Sequence, residues 1–158
     1  MSYFPFFKEI EGEKCLVIGG GKVAARKISR LKEFGVKIKV VAPYIVSDIE
    51  AMAQACDNIS VERRIITPQD IENADFVIAA AGEEADKEAA RLCKERSIPV
   101  NVVDNQELCD FIFPSIIRKG DMVAGFVTGG KSPHVAAKIR RDCEMNISDN
   151  IADILDSL

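Results

Sequence analysis

From Lys14 to Asp104 short apolar runs alternate with amphipathic stretches, a rhythm that predicts parallel strands joined by crossover helices. Strands are expected at Cys15–Ile18, Val36–Val41, Ile59–Arg63, Phe76–Ala80 and Pro99–Val103. The first, second and fourth are nearly unbroken apolar runs, which suits strands covered on both faces. Between the first two, Val23, Ala24, Ile28, Leu31 and Phe34 recur at helical spacing with Lys and Arg opposite, and Gly35 is the stop. Further helices are expected at Ile45–Ala55 and Glu84–Glu95, the latter opening in acidic residues that suit a helix N-terminus.

After Asp104 the pattern changes. Phe111–Ile117 and Met122–Thr128 read as a β-hairpin joined by Arg118-Lys119-Gly120-Asp121. Ser132 and Pro133 pair an N-cap with a first-position proline, opening a helix that runs to about Glu144. The expected architecture is therefore α/β: a Rossmann-type parallel sheet over residues 1–113 with an appended hairpin-and-helix module over 114–158. The apolar hairpin would expose its edges in a monomer, so a second copy of the chain is the expected cover.

Composition narrows the function classes. A net charge of -4 argues against a general nucleic-acid binder, which needs a surplus of Lys and Arg to neutralise phosphates. No stretch approaches the roughly 20 apolar residues of a membrane span. The aromatic opening, Met1 to Phe7, lacks the basic flank and length of a secretory signal and reads as a packing arm. The 5 cysteines are widely spaced with no C-x-x-C pair, the usage of reduced thiols in a cytoplasmic protein rather than of a metal centre.

The strongest motif is Gly19-Gly20-Gly21-Lys22-Val23-Ala24, a G-x-G-x-x-A arrangement that leaves a strand and enters a helix. Gly19 permits the tight turn, Gly21 lets backbone approach a pyrophosphate, and Ala24 lets the helix pack closely on the strand. The helix start at Lys22 and Val23 then supplies amide donors. The second strand ends in Val41-Ala42-Pro43, with no acid for a ribose, so this reading selects neither NAD nor NADP. Lys22 in the loop, and Lys39 and Tyr44 near the second strand, either favour or tolerate a 2′-phosphate or are solvated surface residues. Ligands of doubly wound sheets lie beyond the carboxyl ends of the strands, which brings in Ala80, Ala81 and the run Asn101 to Asn105. Asp104 reads either as a partly desolvated carboxylate that acts as a base or as a turn residue where a strand ends. His134, the one histidine, is a pocket candidate or a surface residue.

Several stretches, in order, resemble one family: Phe4-Pro5-Phe6-Phe7, Cys15 to Ala24 with Arg26-Lys27, Val40 to Pro43, Asn101 to Asp104, Phe111 to Ile117, and Thr128 to Pro133. The chain resembles the precorrin-2 dehydrogenases of the siroheme-synthase N-terminal type, some of which are also sirohydrochlorin ferrochelatases. The resemblance covers residues 4 to about 144. It implies oxidation of precorrin-2 to sirohydrochlorin with NAD(P)+, in siroheme biosynthesis, with iron insertion in bifunctional members. It implies that Asp104 is the active-site base, that Ala42-Pro43 in place of a ribose acid is a family trait, and that the hairpin forms a homodimer. Since precorrin-2 is a polycarboxylate, Arg118, Lys131, Ser132 and His134 become candidate substrate contacts. No metal-ligand cluster of recognisable spacing is present. The chain departs from the family in its short region after Glu144 and in His134 where an aliphatic residue is common. The competing readings are a nucleotide-sensing regulatory module, like the ligand-binding domains of potassium-transport regulators, and a catalytically idle dimer. Sensors of that kind typically keep an acid after the second strand and lack the F-I-F-P and G-G-K-S-P stretches found here.

Overall fold

The computed structural model describes residues 3–147. Residues 148–158, the end of the expected appended module, lie outside that range, as do Met1 and Ser2 of the aromatic opening. The chain divides into two compact units, Phe7–Phe111 and the segments on either side of it.

Unit Phe7–Phe111 is a five-stranded parallel sheet. Its strands are β1 (Lys14–Ile18), β2 (Lys37–Val41), β3 (Ile59–Glu62), β4 (Phe76–Ala79) and β5 (Val100–Val102). Its helices are α1 (Lys22–Leu31), α2 (Ser47–Ala55), α3 (Pro68–Glu72) and α4 (Glu83–Glu95). The strand order β3-β2-β1-β4-β5 reverses direction at β1, and the carboxyl edge beside that reversal is where such sheets open a ligand crevice. The core is apolar because the sheet is covered on both faces: Leu16, Ile18, Val41, Val77 and Ala79 pack with Ala89, Leu92 and Cys93 of α4. β2 to β5 are each a residue or two shorter than their apolar runs predict, β1 gains Lys14 at its start, and α2 begins at Ser47, not Ile45.

The helix α3 was not expected. Its five residues are too few to show a hydrophobic period. Its start is nevertheless well made: Thr67 and Asp70 form a capping box and Pro68 occupies the first turn.

In the other unit, β6 (Ser115–Lys119) and β7 (Met122–Phe126) form the antiparallel hairpin and α5 (Pro133–Asn146) packs on it. Pairing starts at Ser115 because Pro114 has no N–H to give a ladder. Arg118 and Lys119 belong to β6, so the expected four-residue connection is a two-residue turn, Gly120-Asp121, with Gly120 at φ 57° as a type II′ turn requires. Ile117 is buried in this unit, and Val127, Val135 and Ile139 are exposed.

Candidate functional site

The glycine loop joins β1 to α1, and its three glycines differ in what they face. A Cβ on Gly19 would run into the Ala80 backbone, and Gly19 holds φ 112°, which only glycine adopts readily. A Cβ on Gly20 would meet the carbonyl of Tyr44, whose loop is bonded there by Val46 N–H to Gly20 O at 2.9 Å. A Cβ on Gly21 would meet nothing within 4 Å. The first two are thus glycines because protein backbone comes close, and the third opens onto free space where a ligand can approach. Gly20 has a structural task that the motif alone did not assign it.

Gly21 caps α1 with no side-chain hydrogen bond, and the first turn carries no acid. The exposed Lys22 and the first-turn amides therefore present uncompensated positive potential, which fits a pyrophosphate. Ala24, fully buried, lets α1 sit close on the sheet. At the end of β2, Ala42 is buried with its N–H on Glu62 O at 3.1 Å, and Pro43 is exposed. Lys39 does not face this rim: it is ion-paired with Glu62 and Asp70, each at 3.0 Å.

A cleft of about 510 Å³ lies against this end of the sheet, lined among others by Val23, Ala80, Gly82, Asp86, Val103 and Asp104. Asp104 is exposed and holds φ 61°, a left-handed conformation that Asp tolerates better than most residues. The turn that carries it is tied down from behind. Cys109 Sγ lies 3.1 Å from Val102 N and 3.3 Å from Asn105 O. Asp110 N donates to Val100 O at 2.9 Å, and Val100 N returns a bond to Asp110 Oδ2 at 3.0 Å.

Asn101 is buried behind the cleft and its amide is used within the protein. Its Oδ1 accepts from Lys27 Nζ at 2.9 Å, and its Nδ2 donates to Phe111 O at 2.9 Å. Burial brings the Lys27 ammonium down to about 8, opposed by the nearby Cys109 and Asp104 and reinforced by Arg26. Asp86, in α4, is buried and accepts from Ala81 N at 2.8 Å and Gly82 N at 3.2 Å. Burial raises its carboxyl above the ordinary value, the two amides oppose this, and the charge of Asp104 adds to it. The sequence reading did not single out Lys27, Asp86 or Cys109 as site residues.

In the hairpin unit Arg118, Lys131 and His134 are exposed. Ser132 caps α5, its Oγ accepting from Val135 N at 3.2 Å, while its backbone N–H donates to Thr128 Oγ1 at 3.1 Å. Among the described residues no three His, Cys, Asp or Glu side chains converge as metal ligands, and no helix is long and apolar enough to cross a membrane.

Proteins called siroheme synthase resemble this chain over most of its length. The one from Nitrosomonas eutropha is 38% identical over 145 residues, 91% of this chain and 30% of the relative. That from Thioalkalivibrio sulfidiphilus is 39% identical over the same share of this chain and 29% of its own length. The chain thus spans about a third of the length of the curated relatives it matches. Among solved structures, "SirC, precorrin-2 dehydrogenase" superposes with a TM-score of 0.75 at 22% identity, covering 96% of this chain and 74% of that one, a likeness of fold. Residues 6–115, the greater part of the chain, match the family model described as "Putative NAD(P)-binding", and the protein belongs to that NAD(P)-binding family.

Proposed function

We propose that this chain oxidises precorrin-2 to sirohydrochlorin in siroheme biosynthesis, with NAD(P)+ accepting hydride. The observation that carries the reading is Asp104, an exposed carboxylate on the wall of the same cleft as Val23 of the glycine-loop helix. The similarity to proteins named siroheme synthase supports it.

Gly21, Lys22, Val23 and Ala24 would hold the pyrophosphate, Gly19 shaping the loop, with Ala42 and Pro43 on the ribose side and Ala80 and Ala81 along the dinucleotide. Asn101 would act from behind the cleft. The dinucleotide, when bound, supplies the hydride acceptor. Net, precorrin-2 loses one hydride and one proton, and the Asp104 carboxylate takes the proton from the macrocycle. Arg118, Lys131 and His134 are the proposed contacts for substrate carboxylates. Ser132 is proposed beside them as the residue that fixes the start of α5 between Lys131 and His134, its hydroxyl being committed to the cap of that helix.

The exposed Val127, Val135 and Ile139 favour a homodimer formed through the hairpin unit, and the free thiols suit the cytoplasm. The dimer is tested by sedimentation of wild type against Ile139→Glu, which should sediment as the smaller species.

The reaction is tested anaerobically with enzymatically generated precorrin-2 and NAD+ or NADP+, following reduced cofactor and sirohydrochlorin absorbance. Asp104→Ala should lower turnover on the order of 100-fold or more and still bind cofactor. A folded wild-type protein that binds cofactor and gives no sirohydrochlorin would sink the proposal.

A further inference from the structure

A lysine is an expensive choice for a half-buried position on the inner side of a helix. Lys27 occupies such a place in α1, flanked in sequence by the buried Ala24, Ala25 and Ile28. It lies one turn beyond Val23, which lines the cleft, and its Nζ reaches Asn101 Oδ1 in β5 at 2.9 Å. Asn101 passes the connection on, to Phe111 O at 2.9 Å and to Cys109 Sγ at 3.6 Å, and Cys109 in turn bonds the backbone at Val102 and Asn105. Those two residues bracket Asp104. The helix that presents the glycine loop is therefore joined by one side chain to the segment that holds Asp104 in its left-handed turn.

We infer that Lys27 is the positioning residue of the site, fixing the Asp104 turn relative to the cofactor-binding helix. This inference rests on the dehydrogenase reading given above. The titratable and charged groups facing Lys27 are the Arg26 guanidinium of its own helix, and the Asp104 carboxylate and the Cys109 thiol, itself pushed up by burial, of the segment after β5. Its ammonium, brought down to about 8 by burial, carries charge below that pH and loses it above. The bond to Asn101 and the attraction to Asp104 weaken in the same interval.

The experiment compares wild type, Lys27→Met and Lys27→Arg in the precorrin-2 assay across pH 6.5 to about 9.5, a range that brackets the lysine's titration. In Lys27→Met, kcat should fall on the order of 10- to 100-fold, with KM for NAD+ within about twofold of wild type. Wild-type kcat should decline as pH rises through the Lys27 titration. Lys27→Arg should recover most of the rate and lack that decline, because a guanidinium does not titrate there. A Lys27→Met enzyme with wild-type kcat and pH profile overturns the inference, as does a loss shared equally between kcat and cofactor affinity that arginine does not rescue.

If wild type shows no turnover, the dehydrogenase reading falls, and hydrogen exchange then judges Lys27 without it. Lys27→Met should speed amide exchange between Val102 and Cys109 by about 10-fold or more while leaving β1 and β2 unchanged. Unchanged exchange there overturns the positioning role.

Discussion

Two regions of the Phe7–Phe111 unit each contain a buried aspartate and a lysine, and the environment drives them in opposite directions. In the crossover from β3 to β4, Asp70 is 6% exposed and receives Arg64 at 2.6 and 2.7 Å, Lys39 at 3.0 Å and both Thr67 donors. The Arg64 guanidinium above all holds the Asp70 carboxyl well below the ordinary range, and Lys39 is raised by Glu62 and then Asp70. At the cleft, Asp86 is 4% exposed but takes two backbone amides and faces the charge of Asp104, while Lys27 donates to the neutral amide of Asn101. Burial raises the one and lowers the other. One region satisfies its charges with opposite charges and so serves the fold. The other keeps charge weakly compensated beside a cavity, the arrangement expected of a working site.

The largest test of that contrast is Asp70→Ala. It should destabilise the protein by about 2–3 kcal/mol in urea unfolding, through loss of charge-assisted bonds and the capping box. The cost stays below that of a fully buried pair, because Arg64 and Lys39 are more than a third exposed and regain water. Cofactor affinity per folded molecule should not change. A large loss of affinity would show that the β3–β4 network also belongs to the site.

Next is Gly21→Ala at the cleft. With φ -87° at this position and free space around a Cβ, the fold should keep its stability within about 1 kcal/mol. NAD+ affinity by calorimetry should nevertheless fall about 10-fold, the added methyl occupying the approach to the first-turn amides. Gly20→Ala should do the reverse and lower stability first, since its Cβ meets the Tyr44 carbonyl. Equal affinity in wild type and Gly21→Ala would remove the loop from the proposed binding surface.

The difference between the two regions was only partly legible in the sequence. Strand rhythm and the glycine loop were plain because period and turn chemistry are local signals. The Thr67-Pro68-Gln69-Asp70 start of α3 was also local and readable, though five residues gave no periodicity to confirm it. Lys27 and Asp86 were hidden, because each falls in a charged stretch of an amphipathic helix and is buried by another part of the unit. Asn101 within Val100–Val102 was the visible hint, since an amide in an apolar strand must find partners inside. The hairpin bounds were misjudged at both ends of β6: the apolar run around Pro114 looks continuous though proline has no N–H to pair, and Arg118 and Lys119 look like turn residues though they pair with Val123 and Met122.

The smallest expected effect comes from Asp86→Asn, and it sharpens the comparison by its sign. Asp70 is depressed in the fold, so its stabilisation is present above the unfolded carboxylate value of about 4 and is lost as pH falls toward the folded one. Asp86 is raised, so its contribution is greatest below the unfolded value and declines as pH rises through the folded one. Asparagine at 86 gives up one of two amide contacts but removes a buried charge, a net change within about 1 kcal/mol at neutral pH. Relative to wild type, Asp70→Asn should therefore lose stability as pH is raised from the acid side, and Asp86→Asn should gain it. Urea unfolding of both variants over that range reads the two slopes. Slopes of the same sign would mean that the cleft carboxylate is as well compensated as Asp70, and the distinction between the two regions would have to be given up.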